Sequence, residues 1–330
     1  MRDSLKVLCD YFIKNRDVIQ KTFAWESTYI YPVCAAIFTD KGKMVNAEEL
    51  HKCKDLLKAQ TGVFSTFRGT SRLATLTMMA ADAYPEEKLV KALVIYDLLK
   101  KHFWANDYLP MASMVIANMT EPEQYITVVD KTKKIYYLMK KEHPFLTGGE
   151  DIVFATLLAL SDMTDEQIVR ETEGCYQLLK KEFFSGNAVQ ALSHVLALCE
   201  GTPEQKCNRT MQLYNGLKEK GCKYGTDYEL STLGVLAILP IDLSQIMNYI
   251  MELDVFLKGQ KGYGFFGCDR RQRLMHAGML VVSDYMKQED STMMSTAAVS
   301  STISLIVAQQ TALCASIAAA NAAAASNSAN

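Results

Sequence analysis

The sequence predicts an all-α protein, tandem helical hairpins of about 40 residues each, stacked as an open α-solenoid or closed into an α/α toroid. Three observations predict this. A short block recurs: Tyr96-Asp-Leu-Leu-Lys-Lys, Tyr136-Tyr-Leu-Met-Lys-Lys, Tyr176-Gln-Leu-Leu-Lys-Lys and Tyr214-Asn-Gly-Leu-Lys-Glu, with weaker copies from Lys54 and Asp254. The intervals are 42, 40, 40, 38 and 40 residues. Every block ends a stretch that opens with a helix-start signal. No alternating run long enough for a strand occurs, and the seven prolines fall mostly at helix starts.

The elements follow in chain order. A helix near 3–21 opens the chain, and an apolar run at 33–38 follows it. Asn46-x-x-Glu49 then resembles a capping box, in which the cap oxygen accepts the third amide and the third side chain returns the bond. The next helix has Pro85 in its first turn, with Glu86 and Glu87 beside the positive end of the dipole. Thr120-x-x-Glu123, Thr164-x-x-Gln167, Thr202-x-x-Gln205 and Asp242-x-x-Gln245 mark the later starts. Such a cap contributes about 1 kcal/mol. Within these helices apolar residues recur at helical spacing, as in Leu89, Leu93, Tyr96, Leu99 and in Ile168, Thr172, Cys175, Leu179. They are therefore half exposed. Their terminal lysines suit the negative end of the dipole and solubility, and are not read as an anion site.

The other helix of each hairpin is apolar all round: 33–38, 111–117, 152–160, 192–198 with one histidine, and 233–239. A helix without a polar face must be covered on several sides. Buried first helices flanked by amphipathic second helices are the expectation, with a last helix near 271–287 completing roughly seven hairpins.

The repeat domain spans 1–290, and 291–330 is an uncharged Ala/Ser-rich helix with a frayed end. Gln309, Gln310, many Ser and Thr, and the lack of flanking Lys or Arg argue against membrane insertion of this tail. It is expected to cover the last hairpin or to pair with its counterpart in a second chain. With 49% hydrophobic and 22% charged residues the chain has the composition of a globular protein. A formal net charge of −2 offers no field to gather nucleic acid. The charged first seventeen residues do not resemble a secretory signal, and nine cysteines with no C-x-x-C pair read as reduced cytoplasmic thiols.

The loops that lead from each second helix to the next first helix lie, by hairpin geometry, at one end of the array. They span 62–69, 102–110, 143–151, 183–187, 222–229 and 261–271, and they collect glycines, aromatics and acids. Function in a repeat protein concentrates on such a rim. Its candidate ligand-binding residues are Phe67, Arg68, Trp104, Asp107, Phe145, Glu150, Asp151, Tyr224, Asp227, Tyr263, Phe266, Asp269 and Arg270. First-turn acids such as Glu150 and Asp151 also serve helix starts, Thr226-x-x-Glu229 is itself a capping box, and the aromatics could staple neighbouring hairpins. The arginines either hold a carboxylate or phosphate, or pair with Asp107, Glu150 or Asp227 on adjacent loops.

Gly262-Tyr-Gly264-Phe-Phe-Gly267 spells a dinucleotide fingerprint but follows a helix, outside any βαβ unit, so it is accidental. The five histidines have no partner at ligand spacing, and no P-loop, H-E-x-x-H or G-x-S-x-G motif occurs. No cofactor or metal is expected.

Phe23-Ala-Trp25-Glu26, the segment 62–69 (GVFSTFRG), Leu109-Pro110, 143–148 (HPFLTG) and the uncharged tail together resemble a bacterial domain-of-unknown-function family, number four thousand and three. The resemblance extends to about Ala325 and implies a bacterial, single-domain helical protein. It implies no activity, cofactor or catalytic residue. Three functions remain open: a cytoplasmic scaffold binding a peptide, protein or small anion at the rim; an enzyme using Asp107, Asp151, Asp227 or Asp269 with rim arginines in a toroid mouth; and tail-mediated membrane association.

Overall fold

The computed structural model describes residues 1–263 and 267–289. They are helical, with no strand among them. The helix α1 (Asp3–Thr22) leads into α2 (Ile30–Asp40), and five further apolar helices follow: α4 (Arg72–Ala80), α6 (Leu109–Met119), α8 (Asp151–Ala159), α10 (Gly186–Ala197) and α12 (Leu230–Ile238). Between them stand the amphipathic helices α3 (Ala47–Gln60), α5 (Pro85–Leu99), α7 (Tyr125–Glu142), α9 (Asp165–Leu179), α11 (Pro203–Glu219) and α13 (Leu243–Lys258), and α14 (Arg270–Glu289) closes the described chain.

The difference between the two kinds of helix follows from their sequences. Every residue of α8 from Asp151 to Ala159 is buried, whereas α9 buries only Ile168, Thr172, Cys175 and Leu179. In α5 the buried stripe runs through Leu89, Ala92, Ile95, Tyr96 and Leu99, and the expected Leu93 lies to one side.

By packing, the described residues fall into two compact units. One comprises Met1–Asp10 and the chain from Thr164 onward; the other is Tyr11–Met163. In the second unit the buried helices pack in series, α2 on α4, α4 on α6 and α6 on α8, while α3, α5 and α7 form the outer series. The first unit repeats the plan with α10, α12 and α14 against α9, α11 and α13. Here the amino group of Met1 meets Glu252 of α13 at 2.8 Å, and Arg2 pairs with buried Asp284 of α14 while lying over the Tyr249 ring.

The helix starts obey the sequence with two changes. Thr164 and Gln167 exchange both bonds of a capping box, as do Thr202 and Gln205. Thr120 does not cap α7. Its hydroxyl turns back to the Ile116 carbonyl at 2.8 Å, and a turn at Pro122–Gln124 opens the helix instead. Asn46 and Asp242 accept from the second amide of their helices rather than the third.

The last carbonyls of the buried helices have no partner within the helix and take donors from elsewhere. Cations from the outer helices and from the loop before α3 serve. Lys43 donates to Ala81 O, Lys131 to Ser161 O and Met163 O, Lys206 to Cys199 O, and Arg209 to Leu239 O and Ile241 O. Lys206 is 4% exposed and also pairs with Glu171. Composition conceals the burial of Lys206.

The cysteines of the described residues carry no disulfide, and all but Cys199 are buried. Burial pushes the Cys34 thiol up to about 12, far from a reactive thiolate. No described helix is long and apolar enough to cross a membrane. The proposed tail helix at 291–330 lies outside the described residues.

Candidate functional site

In the unit Tyr11–Met163 the four loops at one end of the hairpins, 23–29, 61–71, 100–108 and 143–150, are tied to one another in order. Arg72 pairs with Glu26, bridging the first and second loops. Thr70 donates its hydroxyl to Asp107 Oδ2 at 2.6 Å, and Ser71 donates to the Asp107 carbonyl at 2.7 Å, bridging the second and third. Gly149 of the fourth loop lies against Tyr108 and Asn106 of the third, where an added Cβ would stand 3.4 Å from the Tyr108 ring. The rim is therefore continuous within this unit.

The first three of these loops carry two kinds of aromatic residue, and the fourth carries only the second kind. One kind is buried and pins the loop. Phe67 meets Tyr96 edge-on with ring centres 5.0 Å apart, and Phe103 meets Tyr136 at 5.2 Å. These contacts explain why the repeat keeps a tyrosine near the end of its second helix: it receives the ring of the preceding loop. Phe183 and Tyr214 repeat the contact at 5.2 Å in the other unit.

The second kind stands free. Trp25 is 99% exposed, Phe64 100%, Trp104 94% and Phe145 98%. The intervals between them are 39, 40 and 41 residues, the period of the hairpin. Phe184, in the other unit, extends the series after 39 more and is equally exposed. An exposed lysine accompanies each ring: Lys21 by Trp25, Lys58 by Phe64, Lys101 by Trp104 and Lys141 by Phe145. Rings in water give nothing to the fold. Trp25 and Trp104 are also the only two tryptophans of the chain.

Beneath the third and fourth loops is an acidic group. Asp151, 4% exposed at the first position of α8, accepts from Gly148 N at 2.7 Å. Burial, and secondarily the charge of Glu150, pushes its carboxyl up to about 7, against the opposing pull of the Gly148 amide and Lys140. The Tyr108 phenol is raised to about 12 by burial and by the carboxylates Glu150, Asp107 and Asp151.

The arginines have internal work. Arg68 donates from Nε to Thr61 Oγ1 and from Nη2 to the carbonyls of Lys58 and Thr61, both at 2.6 Å, and so caps the end of α3. Arg270 and Arg273 converge on Asp254 of α13, Arg273 Nε at 2.6 Å. None of the three pairs with Asp107, Glu150 or Asp227 in the bonds just described.

In the other unit Tyr224 and Tyr263 are core residues. The Tyr263 hydroxyl lies 2.9 Å from His276 Nδ1, and the Tyr224 hydroxyl sits beside Gly278. Asp269 caps α14 through a reciprocal pair of bonds with Gln272. Asp227 is exposed and accepts from Ser185 at 3.3 Å. Phe266 lies outside the described residues. Among the described residues no group of three His, Cys, Asp or Glu side chains is placed to hold a metal ion.

The family model described as Protein of unknown function (DUF4003) matches residues 15–311. The chain belongs to that family. A similar protein is the "Uncharacterized protein YeaA" of Bacillus subtilis (strain 168), 26% identical over 198 residues, which is 58% of this chain. The match covers 60% of that relative's length. No solved structure matches the chain.

In this DUF4003 chain the sequence-derived candidates thus divide. Trp104, Asp107, Phe145, Glu150 and Asp151 come together on two adjoining loops of one unit. Phe67 is core and Arg68 is a helix cap. Trp25 and Phe64 belong to the same rim and stand outside the sequence-derived candidates. Their signal was available: an aromatic residue at the hairpin period, offset from the tyrosine series.

Proposed function

We propose that this protein is a non-catalytic binding protein or scaffold that engages its partner through the loop rim of residues 11–163. One observation carries the reading: each of the four loops holds a single aromatic ring wholly out in water, once per hairpin. Exposed large rings arranged on one edge mark interaction sites. The binding surface is aromatic with lysines around it; the arginines of the sequence-based expectation are engaged in capping α3 and clamping α13. We take the protein to act in the cytoplasm.

The test uses the two tryptophans as reporters. Emission is titrated with a panel of apolar peptides, small carboxylates and small phosphates, beside the variant Trp25→Ala/Phe64→Ala/Trp104→Ala/Phe145→Ala followed by calorimetry. A ligand should shift the emission and lose its heat of binding in the variant, which should melt like the wild type. A large fall in the variant's melting temperature would make the rings structural and sink the reading.

A second reading, an acid–base enzyme, is favoured by Asp151, whose carboxyl is raised to about 7 and adjoins Glu150. A turnover abolished by Asp151→Asn with the fold intact would favour it.

The same proposal extends to the arrangement of the hairpins, an α-solenoid or a closed α/α toroid. Small-angle scattering decides between the two.

A further inference from the structure

We infer that the partner of this rim is the surface of an anionic phospholipid bilayer, which the four rings enter at headgroup depth while the lysines face the lipid phosphates. The inference rests on the rim-binding reading above and adds the class of partner. Three features of the residues carry it.

The first is how the rings stand. Trp25, Phe64, Trp104 and Phe145 are 94–100% exposed. A site for a peptide or small molecule is concave and buries most of its ligand between walls. A ring that none of its neighbours covers has no wall beside it. A bilayer needs none, because the acyl and headgroup layer closes around each ring separately. Tryptophan and phenylalanine also suit that depth, where an amphipathic or apolar ring meets the headgroup boundary. Val63, 75% exposed beside Phe64, lengthens the apolar tip of its loop.

Charge is the second. Lys21, Lys58 and Lys141, in the last turns of α1, α3 and α7, and Lys101, at the start of its loop, are exposed and lie within six residues of the ring they accompany. Three of the rim's acids are engaged or buried, while Glu150 is half-buried and Glu142 is exposed beside Lys141. Glu26 pairs with Arg72, Asp107 accepts from Thr70, and Asp151 is buried. The loop edge thus presents cations although the whole chain carries a formal charge of −2. Each lysine near an anionic leaflet strengthens attachment roughly fivefold, and salt weakens the effect.

The third is rigidity. Loop-to-loop bonds and the buried rings Phe67 and Phe103 hold the four tips in fixed relation. Preorganised tips lose little entropy on attachment. No described helix can span the bilayer, so the attachment is interfacial.

The experiment exploits the fact that both tryptophans of the chain are on this rim. Full-length protein is mixed with vesicles of phosphatidylcholine alone and of phosphatidylcholine with phosphatidylglycerol, at low and high salt. Tryptophan emission and co-sedimentation are measured. The expected result is a blue shift and sedimentation with the phosphatidylglycerol vesicles only, both reduced by salt. Phe64→Ala/Phe145→Ala keeps both reporters and should weaken binding at least ~10-fold, since partial burial of one ring is worth about a decade in affinity. Lys21→Glu/Lys58→Glu/Lys101→Glu/Lys141→Glu should abolish the preference for anionic lipid. Circular-dichroism melts verify that these surface variants fold. An unshifted emission with every vesicle overturns the bilayer as partner and leaves the rim to be judged by its ligand panel. Sedimentation undiminished after all four rings are replaced by alanine overturns attachment through the rim.

Discussion

Asp107 accepts the Thr70 hydroxyl at 2.6 Å, and this bond joins the rim loop before α4 to the rim loop before α6. Gly69 makes the approach possible: a Cβ there would lie 2.3 Å from Asp107 Oδ1. The contact is between neighbouring hairpins, so it acts on how the loops are held and not on whether either helix forms.

Asp107→Ala should accordingly cost about 1 kcal/mol, the loss of a charge-assisted hydrogen bond at an exposed site. Gly69→Ala should cost a similar amount by pushing the carboxylate away. Urea denaturation of the two single variants and the double variant measures the coupling. A double variant whose loss equals the sum of the two would show that the residues act independently.

Arg68→Ala should destabilise by about 1 kcal/mol, because the last carbonyls of α3 lose their donors. Arg68→Lys should restore little of this, since one ammonium group cannot reproduce the planar fork that serves Thr61 and Lys58 together. Ligand or lipid binding at the rim should survive both changes, and its loss would return the guanidinium to the binding surface.

Two phenylalanines three residues apart should behave oppositely. Phe67→Ala removes a fully buried ring packed on Tyr96 and should cost about 3–5 kcal/mol. Phe64→Ala removes a fully exposed one and should change stability by less than about 0.5 kcal/mol. Thermal melts of the pair are sufficient.

Asp151 predicts a pH dependence. Its carboxyl is raised from 3.8 to about 7, so the folded state holds the proton more tightly than the unfolded chain. Between about pH 4 and 7 the folded state binds more protons, and stability therefore falls as pH rises through that window and levels off above it. Asp151→Asn keeps an acceptor for the Gly148 amide and removes the charge. It should melt like wild type near pH 4 and gain about 2–4 kcal/mol at pH 8. An equal melting temperature at pH 8 would show that the carboxylate is solvated there.

How the rim came to be legible is clear from its residues. A fixed period determines that hairpins stack in register, so loops at 62–69, 102–110 and 143–151 share an edge, and the ties from Thr70 to Asp107 and from Gly149 to Tyr108 agree. Helix starts were readable too, because a cap is a matter of neighbours three residues apart. Thr164 and Gln167 need nothing from the rest of the chain.

The sequence by itself thus determined the all-α class, the alternation of buried and half-exposed helices and, within residues 11–163, which loops adjoin. These follow from local periodicity. Only the tertiary structure decided which aromatic of a loop turns in and which stays out. Phe64 and Phe67 are the same residue in the same loop, and only the second finds Tyr96, 29 positions further along the chain. It likewise decided that Arg68 completes a helix and that Lys206 is internal. The physical reason is common to all three: a side chain's role depends on the donors, acceptors and apolar surface that a neighbouring hairpin brings to it, and the spacing of residues along one hairpin carries no record of them.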